Sequence, residues 1–185
     1  MNPTYASVLS LILLIVLSGY FSATETAFSG VNRIRLKNMA SDGNKKAARA
    51  LKLTDHFDKL LSTVLVGNNI VNIAASSIAT LLFTSFFGDA GAAISTLVMT
   101  VLLLIFSEIT PKSIAKEVPE SFAMFSAPFI SVLQALLTPI NWLFTQWKKL
   151  IAKLLRVEGS GAITDDELIT IVDEAQNEGG IGENQ

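Results

Sequence analysis

From Ala90 to Ser107 the chain runs for 18 residues without a charged side chain, and the next residue is Glu108. An apolar run of that length fits a membrane-crossing helix, which takes ~20 mostly apolar residues. Glu108 begins the acid-to-proline stretch of Ser107-Glu108-Ile109-Thr110-Pro111-Lys112. A carboxylate at the edge of lipid is costly to place, so an intramembrane ionisable residue is a functional-site candidate. Pro111 has no backbone N–H, so the carbonyl of Ser107, four residues back, loses its helical partner. A freed carbonyl beside a carboxylate is a donor set for a hard cation.

The rest of the composition agrees with a membrane setting. Of the 185 residues, 50% are hydrophobic and 16% charged, and the mean hydropathy is +0.49. With no Cys there is neither a disulfide nor a thiolate metal site, and a single His argues against zinc and other transition metals. A net charge of −2 gives no reason to expect nucleic acid, and the length suits one domain. Membrane lipids are the expected surroundings.

The charges set the topology. All 14 Lys and Arg lie in three patches: Arg33 to Lys59, Lys112 with Lys116, and Lys148 to Arg156. Three apolar segments fall between them, at about 8–29, 60–87 and 90–109, with a short connection near Asp89. The positive-inside rule places the basic segment 31–59 in the cytoplasm, hence the N-terminus outside and Lys112 and Lys116 inside. The expected fold is an all-α membrane protein with three transmembrane helices, an external N-terminus and a cytoplasmic C-terminus. Residues 1–156 form its membrane domain and 157–185 an acidic cytoplasmic linker.

Residues 118–156 are expected to form broken juxtamembrane helices. The part from Phe122 to Trp147 is apolar enough to cross, but crossing would put Lys148, Lys149, Lys153 and Arg156 outside, and Pro128 and Pro139 interrupt it. An interfacial position is the expectation, continued by a basic amphipathic helix around Leu150, Ile151, Leu154 and Leu155. A removable signal peptide is the rival reading of residues 1–29, but a basic leading region and a small-residue cleavage motif are both missing.

Polar residues recur inside the apolar segments. Ser18, Ser22, Glu25 and Ser29 follow helical spacing and share one face, with Gly19 beside them to admit a close neighbour. Gly67-Asn68-Asn69-Ile70-Val71-Asn72 places three amides within a turn and a half; Asn68 and Asn72 share a face, and Asn69 nearly does. Each has an ordinary explanation. Serines can bond their own backbone, asparagines can glue helices together, Glu25 can pair with a cytoplasmic Arg, and Glu108 can be a solvated helix end. The groups lie at similar depth, however, and jointly offer carboxylate, amide, hydroxyl and carbonyl oxygens. That donor set suits Mg²⁺, Ca²⁺, Mn²⁺ or Na⁺. No residue is assigned to catalysis, and the chain is not read as an enzyme.

Three motifs carry a family resemblance. The stretch from Leu17 to Ser29 (LSGYFSATETAFS), the stretch from Gly67 to Asn72, and the stretch from Ser107 to Lys112 resemble the motifs of three consecutive helices in the CorC/CNNM family. Ile163-Thr164-Asp165-Asp166-Glu167-Leu168-Ile169 resembles the segment before the paired CBS domains; read alone, Thr164 and Glu167 form a capping box. The resemblance implies a homodimeric DUF21-type domain in a bacterial inner membrane that exports Mg²⁺, driven by Na⁺. It places the cation on Ser22, Asn72 and Glu108, with Asn68 or Asn69 close by and main-chain carbonyls of the turn at Ser107 and Pro111 completing the shell. Glu25, with Ser18 and Ser29, is left to ion coupling or support. No CBS sequence follows residues 179–182, so the chain is expected to lack nucleotide control.

Two other functions compete. A membrane anchor for a cytoplasmic regulatory domain needs its polar stripes only for packing. A toxin-like pore needs a polar face through the outer halves of the helices, which read as apolar at Leu9 to Leu17 and Leu97 to Phe106.

Overall fold

The computed structural model describes residues 3–138 together with 146, 147 and 151. Helix α1 (Pro3–Gly30) is followed by two short helices, α2 (Arg33–Ser41) and α3 (Lys45–Thr54), and then by the long α4 (Phe57–Phe87). A 3₁₀ turn at Gly88–Ala90 leads into α5 (Gly91–Leu102). Its helix continues as a π-helical segment, Leu103–Ile109, and as α6 (Thr110–Glu117), and α7 (Pro119–Leu136) closes the described part. These elements lie within one compact unit, Met1–Asn141; the second unit, Trp142–Gln185, contributes only residues 146, 147 and 151. No strand occurs among the described residues.

Two helical stretches are long and apolar enough to cross a membrane, Thr4–Gly30 and the 61-residue run Phe57–Glu117. The second is folded back on itself. At Gly88 the chain takes φ 58°, a conformation that costs glycine little. Gly91 then returns so close to α4 that a Cβ there would stand 2.4 Å from the Thr84 Cα. The run therefore supplies two apolar limbs, α4 and the α5–π–α6 rod, packed side by side.

Many apolar side chains of α1 and of these limbs point outward. Leu13 is 65% exposed, Ile73 67% and Leu97 70%. A core helix of a soluble protein would bury them, whereas a helix in lipid need not. The larger packed cluster lies toward the Gly30 end of α1, around Phe21, Ala27, Phe28, Leu60 and Val64, and a smaller one of Leu11, Ala75, Ala79 and Met99 joins α1, α4 and α5.

The basic segment 31–59 is more ordered than its charge alone announces. Asn32 caps α2 by accepting from the Arg35 N–H at 3.0 Å, and Asn44 caps α3 by accepting from Lys46 and Ala47. Such caps satisfy the donors left over at a helix start. Ala47, Ala50 and Leu53 then turn one face of α3 inward against α7.

One expectation is corrected in α7. Pro128 does not break it; the helix runs unbroken from Pro119 to Leu136 with Pro128 inside. It ends just before Thr138, the residue preceding Pro139, where helical backbone is disfavoured. Ala123, Ser126, Ala127 and Ile130 face the interior. Glu120 lies beside Asn32 and Arg35, and Met124 beside Asn44. Further along, the Tyr20 ring is boxed by Phe122, Phe125 and Phe129. Helix α7 thus starts near the Gly30 end of α1 and runs back along it past Tyr20. The basic helix expected around residues 148–156 lies outside the described residues except for Ile151, and the linker 157–185, with Thr164 and Glu167, lies wholly outside them.

Candidate functional site

The site is assembled where α1, α4 and the π segment meet. On α1, Ser18 and Ser22 are fully buried. The Ser18 hydroxyl lies 2.9 Å from Asn68 Oδ1 and 2.6 Å from Asn72 Oδ1, both on α4. A hydroxyl has one proton, so it can satisfy only one of these acceptors at a time. When that proton goes to Asn72 Oδ1, Asn68 Oδ1 is within reach of the Asn72 amide nitrogen, 3.5 Å away. One turn along, the Ser22 hydroxyl donates to Glu108 Oε1 at 3.0 Å, and Asn68 Nδ2 reaches the same oxygen at 3.4 Å. Five oxygen-bearing side chains from three elements, Ser18, Ser22, Asn68, Asn72 and Glu108, therefore converge.

The antiparallel run of α1 and α4 explains the pairing. Along α1, Ser18 comes before Ser22; along α4, Asn72 comes after Asn68, so the Ser18 level meets both amides and the Ser22 level meets Asn68. Asn68 and Asn72 sit one turn apart, ~6 Å along the axis.

The π segment aims Glu108. In a π turn each bond spans five residues, and here the Thr110 N–H bonds to the Ile105 carbonyl. The Ser107 hydroxyl, fully buried, donates at 3.1 Å to the Ile15 carbonyl and so ties this segment to α1. Its side chain thus faces α1 rather than the cluster; Pro111, which has no N–H, cannot serve as the i+4 partner of the Ser107 carbonyl. Pro111 itself packs where Gly19 leaves room: a Cβ on Gly19 would lie 3.0 Å from the Phe106 carbonyl oxygen and 3.1 Å from Pro111 Cγ. π turns recur at functional sites because they redirect side chains out of the regular helical register.

Some expected members stay apart. Asn69 is exposed, turned ~100° from Asn68 by the helical period. Ser29 shares the face of Ser18 and Ser22 but is exposed near the helix end, ~10 Å beyond Ser22. Glu25 is present at the edge of the site, and its partner is a lysine, not an arginine: Lys112 Nζ lies 3.6 Å from Glu25 Oε2 and 2.9 Å from Glu108 Oε2. Among the described residues, no three His, Cys, Asp or Glu side chains gather in one group. The donors are two carboxylates and neutral oxygens, a set for a hard cation rather than a transition metal.

Residues 9–185, nearly the whole chain, match the family model for the cyclin M transmembrane N-terminal domain, CNNM. The chain belongs to the CNNM family. It is 40% identical over 166 residues to the UPF0053 inner membrane protein YfjD of Escherichia coli, covering 88% of this chain and 39% of that protein. It is 39% identical over 168 residues to a UPF0053 protein of Haemophilus influenzae, covering 89% of this chain and 40% of the relative. A more distant relative, 24% identical over 96% of this chain and 44% of its own length, is named a polyamine export protein of Haemophilus influenzae. The chain thus spans about two fifths of the length of these two UPF0053 relatives.

Two features of this CNNM membrane domain escaped the sequence reading. Lys112 was placed only by its charge, although its spacing of four from Glu108 is the signal for an ion pair on one helix face. The parts of α4 and α5 toward their connection at Gly88 are also less uniformly apolar than expected. Ser76, Thr80, Ser95, Thr96 and Thr100 line a pocket of about 150 Å³ between α4 and α5. Three of these hydroxyls are spent on carbonyls one turn back, Thr80 to Ser76, Thr96 to Ala92 and Thr100 to Thr96.

Proposed function

We propose that this domain carries Mg²⁺ out across a bacterial inner membrane, by alternating access and coupled to Na⁺. The observation that carries the reading is the convergence of the Ser18, Ser22, Asn68, Asn72 and Glu108 oxygens from three elements onto one place. Mg²⁺ is small, takes oxygen ligands in near-octahedral geometry, and gives up its water reluctantly. A carboxylate supplies charge; hydroxyl, amide and main-chain carbonyl oxygens on packed helices supply ligands at fixed spacing. Glu108, Ser22 and Asn72 are the direct ligands in this reading, with Asn68 and the Ser107 carbonyl beside them.

A bare membrane anchor accounts for the same residues less well. Packing alone does not require a carboxylate steered inward by a π turn. In the transport reading, the helices that meet at the site rock to expose it to either face. Two copies related by a two-fold axis would enclose a pathway that one copy of so few spans leaves open. The deciding experiment is Mg²⁺ flux in proteoliposomes, with and without an imposed Na⁺ gradient. Flux that rises with the gradient is expected, and no flux above empty vesicles would overturn the reading.

In this topology the chain crosses three times, by α1, α4 and the α5–π rod, with the N-terminus outside and α7 at the inner interface. The lack of native Cys allows a clean check. Single cysteines at Glu120 and Gly159 are expected to react with a membrane-impermeant thiol reagent from the same, cytoplasmic side; labelling from opposite sides would show that the intervening segment crosses.

A second reading has a specific observation behind it. Glu108 and Glu25 already hold a primary ammonium, that of Lys112, and one relative is named for polyamine export. Spermidine that competes with Mg²⁺ for the purified protein, and is itself carried in vesicles, would favour that reading.

A further inference from the structure

We propose that the Lys112 ammonium is a tethered stand-in for the transported ion: it holds Glu108 and Glu25 while the site is free of divalent cation, and the arriving cation displaces it. This role rests on the reading of the cluster as a Mg²⁺ site.

The two oxygens of Glu108 have divided duties. Oε1 receives Ser22 and Asn68 inside the cluster, while Oε2 faces Lys112 Nζ at 2.9 Å, and the same ammonium lies 3.6 Å from Glu25. Two carboxylates and one ammonium carry −1 in all. A divalent ion in place of the ammonium brings the group to neutrality. Both cations together would leave it at +1, with like charges a few ångströms apart beside lipid, where repulsion is poorly screened. Cation and ammonium therefore exclude one another.

The side chain is suited to leaving. Lysine carries a compact charge on a flexible stem, whereas arginine would clamp a carboxylate through a planar fork. The Lys112 side chain is 36% exposed, so solvent is within its reach. An ordinary ion pair at spacing four would only steady the helix. A displaceable one does more, because it keeps the carboxylates compensated after the ion departs and weakens a site that must release its cargo.

The first test uses the native chain. Lysine labelling by an amine-reactive reagent, read by mass spectrometry, is expected to modify Lys112 several-fold faster when Mg²⁺ saturates the protein, with Lys46 on the distant α3 as an internal standard. The second is calorimetry on Lys112→Gln and Lys112→Arg in detergent. Lys112→Gln is expected to bind Mg²⁺ at least about tenfold more tightly, and Lys112→Arg more weakly than the native protein. A labelling rate indifferent to Mg²⁺ in a protein that binds it, or a Lys112→Gln affinity equal to or below the native one, overturns the displacement. Failure of the native chain to bind Mg²⁺ overturns the magnesium reading and this role with it. Binding that Glu108→Gln abolishes and Lys112→Gln leaves unchanged overturns the lysine role alone.

Discussion

Glu108→Gln is expected to weaken Mg²⁺ binding at least a hundredfold, measured by calorimetry on the detergent-solubilised protein, while the thermal melt moves little. Among the described residues, Glu108 is the acid that accepts from the buried Ser22 hydroxyl and from the Asn68 amide nitrogen. Two unit charges ~4 Å apart attract by ~4 kcal/mol at an effective dielectric of ~20, and a divalent ion doubles that. The ion loses hydration on entry, so only part of the attraction survives as affinity; a hundredfold, ~2.7 kcal/mol, is a conservative share. Glutamine keeps the shape and one carbonyl oxygen, so what is removed is charge. The fold should tolerate the change, because the buried interior is built from other residues, Phe21, Leu60 and Val64 among them. The substitution also releases Lys112 from its nearer partner and leaves it Glu25 alone. Unaltered affinity in a variant that melts like the native chain would remove Glu108 from the site and leave Ser22 and the asparagines as packing residues.

What the sequence reveals about this domain, and what it hides, follows from the range of each signal. Long apolar runs bounded by basic patches mark the limits of α1, α4 and the α5–π rod to within a few residues, because burial in lipid imposes its pattern on every residue of a span. Gly19 is legible as a close-approach point for the same reason: a small residue next to a polar stripe has few other uses. Periodicity also finds Ser18, Ser22, Asn68 and Asn72. It overreaches at Ser29, which has the right angle and the wrong depth. Depth depends on where the neighbouring rod ends, and no local pattern records that.

Other features are hidden because they are properties of pairs of elements. The π segment is a response to Pro111 and to the tie between Ser107 and Ile15, which is 92 residues away in the chain. Lys112 reads as one more positive charge after a span, since the rule that orients helices treats all such lysines alike. Its contact with Glu25 appears only when α1 and α6 are side by side. Pro128 misleads in the opposite direction: proline is a strong local breaker, yet α7 runs through it, with Ala127 and Ile130 buried on either side.

The contact that fixes the spacing of the site can be tested without touching a ligand. Gly19→Val is expected to abolish Mg²⁺ binding, and Gly19→Ala to weaken it about tenfold. The Cβ added in either variant meets the Phe106 carbonyl oxygen at 3.0 Å, Pro111 Cγ at 3.1 Å and Ser107 Cα at 3.7 Å. Two of these atoms are backbone and the third is a rigid ring, so none can swing aside as a flexible side chain would. The π segment must move away from α1 as a body, by a few tenths of an ångström for alanine and more for valine, whose branched methyls extend the clash. Overpacking of this kind costs ~1–3 kcal/mol in stability, but the larger effect falls on the site. Glu108 is on the segment that moves and Ser22 on the helix that stays, so their 3.0 Å contact lengthens directly. A constellation displaced by ~0.5 Å is already outside productive geometry, and Mg²⁺ tolerates such stretching less than Ca²⁺ does. Ca²⁺ affinity should therefore fall less than Mg²⁺ affinity in Gly19→Ala. Gly30→Ala is the matched control on the same helix, because its Cβ would meet only Pro119 Cβ, at an ordinary 3.9 Å. If Gly19→Val binds Mg²⁺ as the native protein does, the separation of α1 from the π segment does not set the cation geometry, and the ligands must lie elsewhere along α1 and α4.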